Sequence, residues 1–302
     1  MIITPSSLTA LFVAFRAEFQ RAQADTPTDW QKIATEVPST SKSNTYGWLG
    51  QFPQFREWVG DRVLKDLAAH GYSIDNKSFE SSVAVDRDDI EDDNIGIYKP
   101  LFVEMGRAAK AHPDELVFAL LKAGTSTLCY DGQNFFDTDH PVYPNADGTG
   151  VAVSVANADV DTVARPNNPT WYLLDVSRAL KPVIFQKRRD YNLAAMTKQD
   201  DEAVFTSKKY RYGVDARVNV GFGFWQFAFA SNQALDATGY AAARKAMQGY
   251  TADGGRPLGI RPNLLVVPPS LEGAARSLLV KDAQGGNQWA GTADLLVTPW
   301  LT

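Results

Sequence analysis

The sequence predicts an α+β fold, and two patterns in it carry that expectation. Apolar residues recur at three- and four-residue spacing in some stretches and at every second residue in others. The two kinds of stretch do not alternate in the regular order of a doubly wound parallel sheet. With 302 residues, 44% of them hydrophobic and 22% charged, the chain is long enough to bury a sizeable core.

Thr4-Pro5 reads as a helix start, with Thr4 as cap and Pro5 at the first helical position. Leu8, Leu11, Phe12, Phe15 and Phe19 then form one apolar face as far as about Arg21. Residues 24–43, rich in Pro, Thr, Ser and Asp, read as an extended arm. A short amphipathic helix on such a leash cannot bury its face alone, so it must dock on its own body or on a neighbour.

Residues 43–86 are the most unusual part. Trp48, Leu49, Phe52, Phe55, Trp58 and Val59 crowd together between Gly47, Gly50, Pro53 and Gly60. Downstream, Phe79, Val83 and Val85 fall on one side of a period-2 strand. The expectation is a long hairpin-like excursion with a short helix at about 61–69. Two paired strands alone are marginally stable in water. Such an extension needs a surface to lie on, and a partner subunit is the natural candidate.

Asp86 to Asp93 holds six acids and one base. Leu101, Phe102, Met105, Ala108 and Ala109, then Leu116, Leu120 and Leu121, continue as a long helix with Gly124 as its stop. Pro113 inside it should bend or restart it. From Cys129 to Thr170, Asp, Asn, Gly and Pro point to loops and short strands. Trp171 to Ala230 is strand-rich. Tyr240–Tyr250 reads as a helix, Asn263–Val267 as a buried strand, Ser270–Leu279 as a helix opened by Pro268-Pro269, and Asp294–Thr298 as a last strand.

The chemistry in these residues is thin. A net charge of -5 argues against nucleic-acid binding by bulk attraction. The single cysteine, Cys129, rules out an intrachain disulfide and a cysteine-based metal cluster, and suits a reducing cytoplasm. No basic stretch precedes an apolar block at the start, so a secretory signal is not expected. No run of about 18 uncharged apolar residues suggests a membrane span. Asp137-Thr138-Asp139-His140 is the best enzyme-like cluster, since two carboxylates and an imidazole could hold a divalent ion. The same residues before Pro141 also build a turn, and one local cluster with no distant partner favours the turn. The acidic run has neither the ligand alternation nor the glycine of a calcium loop; it fits a helix start, or pairing with Lys187-Arg188-Arg189 or Lys208-Lys209-Arg211 of another subunit. Gly221-Phe222-Gly223-Phe224 and Asp253-Gly254-Gly255-Arg256 lack the ending of a phosphate loop. Cys129 has no identifiable base.

The stretches without catalytic meaning carry a resemblance. SNTYGWLGQFPQFREWVGDR at 43–62, HGYSIDNKSFE at 70–80, RDDIEDDNIGIYKP at 87–100 and YDGQNFFDTDHPVYPNADGTG at 130–150 resemble the Mu-like phage major head subunit family, gpT. So do Pro182 to Arg189, GFGFWQFA at 221–228 and LLVVPPSLEGAA at 264–275. The similarity runs in the same order along almost the whole chain. It implies the Hong Kong 97 (HK-97) capsid fold: an N-terminal arm at 1–42, an E-loop at 43–86 and a spine-helix region at 87–124. Loops and peripheral-domain strands would occupy 125–230, and axial-domain elements 231–302.

That resemblance also implies a non-enzymatic shell subunit without cofactors. It would form hexamers and pentamers of a head around double-stranded DNA, with scaffold, protease and portal proteins and a possible decoration protein as partners. It would assemble in the host cytoplasm and end in the virion. Phe12, Phe15, Trp48, Phe52, Phe55 and Trp58 are the candidate subunit-interface residues. Lys65 and Lys77 lie in the E-loop region without a matching cross-link constellation, so a non-covalent shell is expected. The competing readings are a metal-dependent hydrolase around Asp137, Asp139 and His140, and another virion structural protein such as a tail tube.

Overall fold

The structure, a computed structural model, describes residues 2–50, 52, 71–92, 95–198, 200–280 and 287–302. The first helix, α1 (Pro5–Asp25), opens with a capping box. The Thr4 hydroxyl accepts the Ser7 amide, and the Ser7 hydroxyl accepts the Thr4 amide. Its Leu8, Leu11, Phe15 and Phe19 are buried. A one-turn helix, α2 (Trp30–Ile33), runs directly into strand β1 (Ala34–Pro38).

β2 (Ser43–Thr45) and β3 (Ser73–Asp75) pair antiparallel and flank the aromatic segment in the sequence. β4 (Lys77–Asp86) follows at once but does not continue that hairpin. It pairs along its whole length with a distant strand, from Lys77 opposite Val218 to Asp86 opposite Lys209. Residues 77–86 are therefore a strand of a larger sheet and not part of the hairpin-like excursion expected over 43–86. A ten-residue strand with Phe79, Val83 and Val85 on one face needs a long partner, which the three-residue β2 cannot provide. The helix expected at 61–69 lies outside the described residues.

After α3 (Arg87–Glu91), the long helix α4 (Lys99–Lys122) continues without a break through Pro113. No restart occurs there. A proline forfeits one amide bond within the helix, while packing holds both sides: Phe102, Met105 and Ala109 before it, Val117, Phe118 and Leu121 after it, all buried. Gly124 does follow the helix end, in a short 3-10 turn, where a Cβ would stand 2.4 Å from the Phe136 ring.

The short strands β5 (His140–Val142), β6 (Val153–Val155) and β7 (Ala158–Asp159) lead to β8 (Trp171–Leu174). Then come β9 (Val183–Met196), α5 (Glu202–Ser207), β10 (Lys209–Phe222) and β11 (Ala228–Ser231). The chain ends with α6 (Ala237–Gln248), β12 (Leu264–Val267), α7 (Glu272–Leu279) and β13 (Asp294–Val297).

Two larger sheets organise these strands. One has the order β1-β9-β10-β4, the other β13-β12-β8-β11-β7. β8 and β11 thus share a sheet with β12 and β13, and the β9–β10 ribbon leaves that sheet and returns to it. The expected split into strands of one unit at 171–230 and of another at 231–302 does not match this membership. The reason is burial. All four residues of β8 are buried, so it needs neighbours on both edges, and β11 and β12 supply them. α1 and the first half of α4 cover one face of the β9–β10 ribbon, with Phe15, Phe19, Phe102, Met105 and Tyr212 in one core. A larger core joins both sheets through Phe118, Trp171, Phe185 and Trp225.

Candidate functional site

The base of the excursion is fastened to its own subunit by polar groups. The Tyr46 hydroxyl donates to Gln186 Oε1 at 2.7 Å, and Gln186 Nε2 donates to the Ile74 carbonyl at 2.9 Å. The Phe222 amide donates to the Tyr72 hydroxyl at 2.7 Å. Burial pushes the Tyr72 phenol up to about 12, so it stays neutral. Arg256 holds the Phe52 carbonyl at 3.3 Å.

Above these ties sits an aromatic shelf. Phe52, half-buried, lies 4.5 Å from Phe224, and Trp48 lies 6.1 Å from the same ring. Trp48 keeps 41% of its surface open. Trp48 and Phe52 are therefore anchored but not covered. Phe55 and Trp58 lie outside the described residues.

The arm helix differs from the expectation. Phe15 is 3% exposed, stacked on Phe102 at 4.0 Å and edge-on to Tyr212 at 5.4 Å. Its surface is spent within its own subunit, because α1 folds back on α4, so it does not face a neighbour here. Phe12 is half-buried at the rim of the same cluster, 6.3 Å from Tyr212.

The Asp137–His140 stretch is a turn network. The Asp137 carboxylate accepts the Thr138 amide and both the amide and side chain of Asn134. His140 points away from it, completely buried, with Nδ1 2.7 Å from Asp131 Oδ2. Burial would raise the Asp131 carboxyl, but hydrogen bonds from His140 and Cys129 outweigh it and hold it below the ordinary carboxylate range. Burial, then the nearby Asp131, pushes the Cys129 thiol well up, so it is no nucleophile. Asp131, ahead of the motif, was the partner that local spacing missed. Cys129-x-Asp131 was the one available hint. The structure thus does not assemble Asp137, Asp139 and His140 into a metal-hydrolase centre.

Several members of the charge runs find partners within the chain. Asp86 caps α3 through the Asp88 amide, and Arg87 pairs with Glu91 at 2.9 Å. Lys187 pairs with Glu36 at 2.6 Å, and Arg189 pairs with Asp215. What the surface offers is an aromatic shelf on a two-sheet scaffold, with no catalytic constellation among the described residues.

The family model described as "Mu-like prophage major head subunit gpT" matches residues 8–301. The chain belongs to that family. It is 48% identical over 307 residues to the major capsid protein of Escherichia phage Mu, covering all of both chains. Its structure resembles the subunit in the procapsid of bacteriophage JBD30, with a TM-score of 0.85 and 54% identity, over 99% of this chain and 100% of that one. It also resembles the subunit of the JBD30 capsid decorated with minor capsid protein trimers, with a TM-score of 0.75 and 42% identity over the full length of both chains. The chain is thus a major capsid subunit with the HK-97-like fold, structural and not enzymatic, and its place is the virion shell. No helix among the described residues is long and apolar enough to cross a membrane.

Proposed function

We propose that this gpT-family subunit assembles into hexamers and pentamers of an icosahedral head around double-stranded DNA, and that the excursion at 46–72 joins adjacent subunits as the E-loop. The observation that carries this reading is Trp48. Its neighbours Tyr46 and Phe52 are fixed to their own subunit, yet 41% of the indole stays open beside the crowded aromatic segment. A second copy supplies the missing cover. Obligate interfaces bury roughly 2,000–5,000 Å², and closing a symmetric shell engages many modest contacts together.

In this reading α4 is the spine helix and the β1-β9-β10-β4 sheet belongs to the peripheral domain. The five-stranded sheet with α6 and α7 forms the axial domain at the capsomer centre. Scaffold, protease and portal partners act during assembly in the host cytoplasm. A trimeric decoration protein, as on the JBD30 capsid, is a partner to seek. The deciding experiment is electron microscopy of the expressed protein with Trp48→Ala and Trp58→Ala introduced together. Capsomers and shells from the parent chain, and their loss in the double variant, support the reading. Tubes from the parent chain, or normal shells from the variant, overturn it.

A further inference from the structure

Both ring nitrogens of the buried His140 face oxygen atoms. Nδ1 lies 2.7 Å from Asp131 Oδ2, and Nε2 lies 3.2 Å from Asn157 Oδ1. The Asn157 amide cannot turn round without losing its own bonds. Its Nδ2 donates to the carbonyls of Phe135 at 2.8 Å and Trp225 at 3.3 Å, and its Oδ1 also accepts the Asp137 amide at 2.9 Å. A neutral imidazole has one N–H and one lone pair. With Asp131 held ionised, either tautomer leaves a buried lone pair facing an oxygen, at the cost of an unmade bond. Only the doubly protonated ring donates on both sides.

The surroundings suit a cation. The ring lies flat on the Trp225 indole, with centroids 4.2 Å apart and planes at 11°, and an indole face attracts positive charge. Asp131 supplies the counter-charge, while also accepting the Cys129 thiol at 3.0 Å and the Gln133 amide at 3.1 Å. The other titratable groups nearby leave that pairing intact. Asp137 is turned to its own loop amides, Asp139 next to the ring adds negative charge, and burial keeps the Tyr130 and Tyr250 phenols neutral.

A shared metal ion fits these distances less well. Ligands on a tetrahedral zinc, with bonds of about 2.0–2.3 Å, stand roughly 3.3–3.5 Å apart. The pairs here, at 2.7 and 3.0 Å, are the separations of shared protons.

We propose that His140 is held as a buried imidazolium, a charged staple between the 129–140 loop, Asn157 and Trp225. Its position gives it a task. Tyr130, which stands between Cys129 and Asp131 in the chain, packs edge-on to Phe224 at 5.9 Å and bonds Gln226 at 3.1 Å. Phe224 is the ring under Trp48 and Phe52. The staple thus braces the shelf on which the excursion rests, and removing its proton would loosen that shelf.

The chain has three histidines, His70, His112 and His140, so histidine labelling gives a simple spectrum. Solid-state nitrogen-15 spectra of labelled, assembled protein at about pH 7.5 should show one ring with both nitrogens protonated. At that pH a solvated imidazole, with an ordinary pKa of about 6.5, is mostly neutral. The signal should vanish in His140→Gln. In Asp131→Asn, which keeps the ring but removes its counter-charge, it should give way to a neutral ring. The proposal is overturned if the parent protein shows only neutral rings, whether the second nitrogen is bare or metal-bound. It is equally overturned if the doubly protonated signal survives either substitution. Should His140→Gln fail to fold, the parent and Asp131→Asn spectra still decide the matter.

Discussion

Gly106 on α4 lies directly against the Phe19 carbonyl of α1: a Cβ built at Gly106 would stand 2.3 Å from that oxygen and 3.1 Å from the Ala22 Cβ. The two helices can approach this closely only because residue 106 has no side chain. Gly106→Ala would gain helix propensity of about 1 kcal/mol, but a backbone oxygen cannot step aside as a side chain would. Overpacking of this kind costs about 1–3 kcal/mol. The expected outcome is a net loss of stability, read as a lower urea midpoint with little change in slope.

Asp114 is the link between α4 and the arm. It is buried, and its Oδ1 accepts the Asp29 amide at 3.0 Å and the Trp30 amide at 2.7 Å. Asp114→Ala leaves two amides without their acceptor, at about 1–3 kcal/mol for each one that stays buried. Asp114→Asn keeps an acceptor oxygen and should cost less. Hydrogen exchange at Trp30 and Ile33 should speed up in the alanine variant and change little in the asparagine one.

Trp48 and Phe52 share Phe224 as their support. Phe52→Ala should weaken the subunit itself and the shell, because it removes a ring packed 4.5 Å from Phe224. Trp48→Ala should leave subunit unfolding within about 1 kcal/mol of the parent, as for partly exposed sites, and reduce the yield of assembled particles. Sedimentation of assembly mixtures separates the two effects.

The acid limb of stability has a named contributor. The folded Asp131 carboxyl is depressed, so its contribution is present above the unfolded carboxylate range of about 3.9. It is lost as pH falls through the lower folded value. Asp131→Asn should melt at a lower temperature than the parent near neutral pH, and the gap should narrow below about pH 4. A gap that widens in acid would contradict this.

The shell should be held without covalent links between subunits. Mature heads boiled in detergent are expected to run as a single band near the 33.1 kDa of one chain. Ladders of linked subunits would refute this.

Much of the fold was legible in the residues. Thr4 and Pro5 announce α1, the Phe102–Leu121 face announces α4, and the alternation of Tyr210, Tyr212 and Val214 announces β10, because each is a local periodicity that one face of one element must satisfy. Strand partners were less legible. Nothing near β4 says that its mate lies at 209–218, or near β8 that its neighbours lie at 228–231 and 264–267. The same is true of Asp131 and Asn157, which meet His140 through turns and not through a helical or strand period.

The sequence by itself determined the α+β class and an aromatic-rich segment near residue 50, which follow from periodicity and composition, and the family, which follows from the resemblance of its stretches in order along the chain. The tertiary structure decided that Phe15 is spent inside its own subunit, that Trp48 stays partly open and that His140 turns from Asp137 to Asp131. The physical reason is that burial and partner choice depend on which surfaces meet in space. Local patterns prescribe a face for each element, and only packing decides what lies against it.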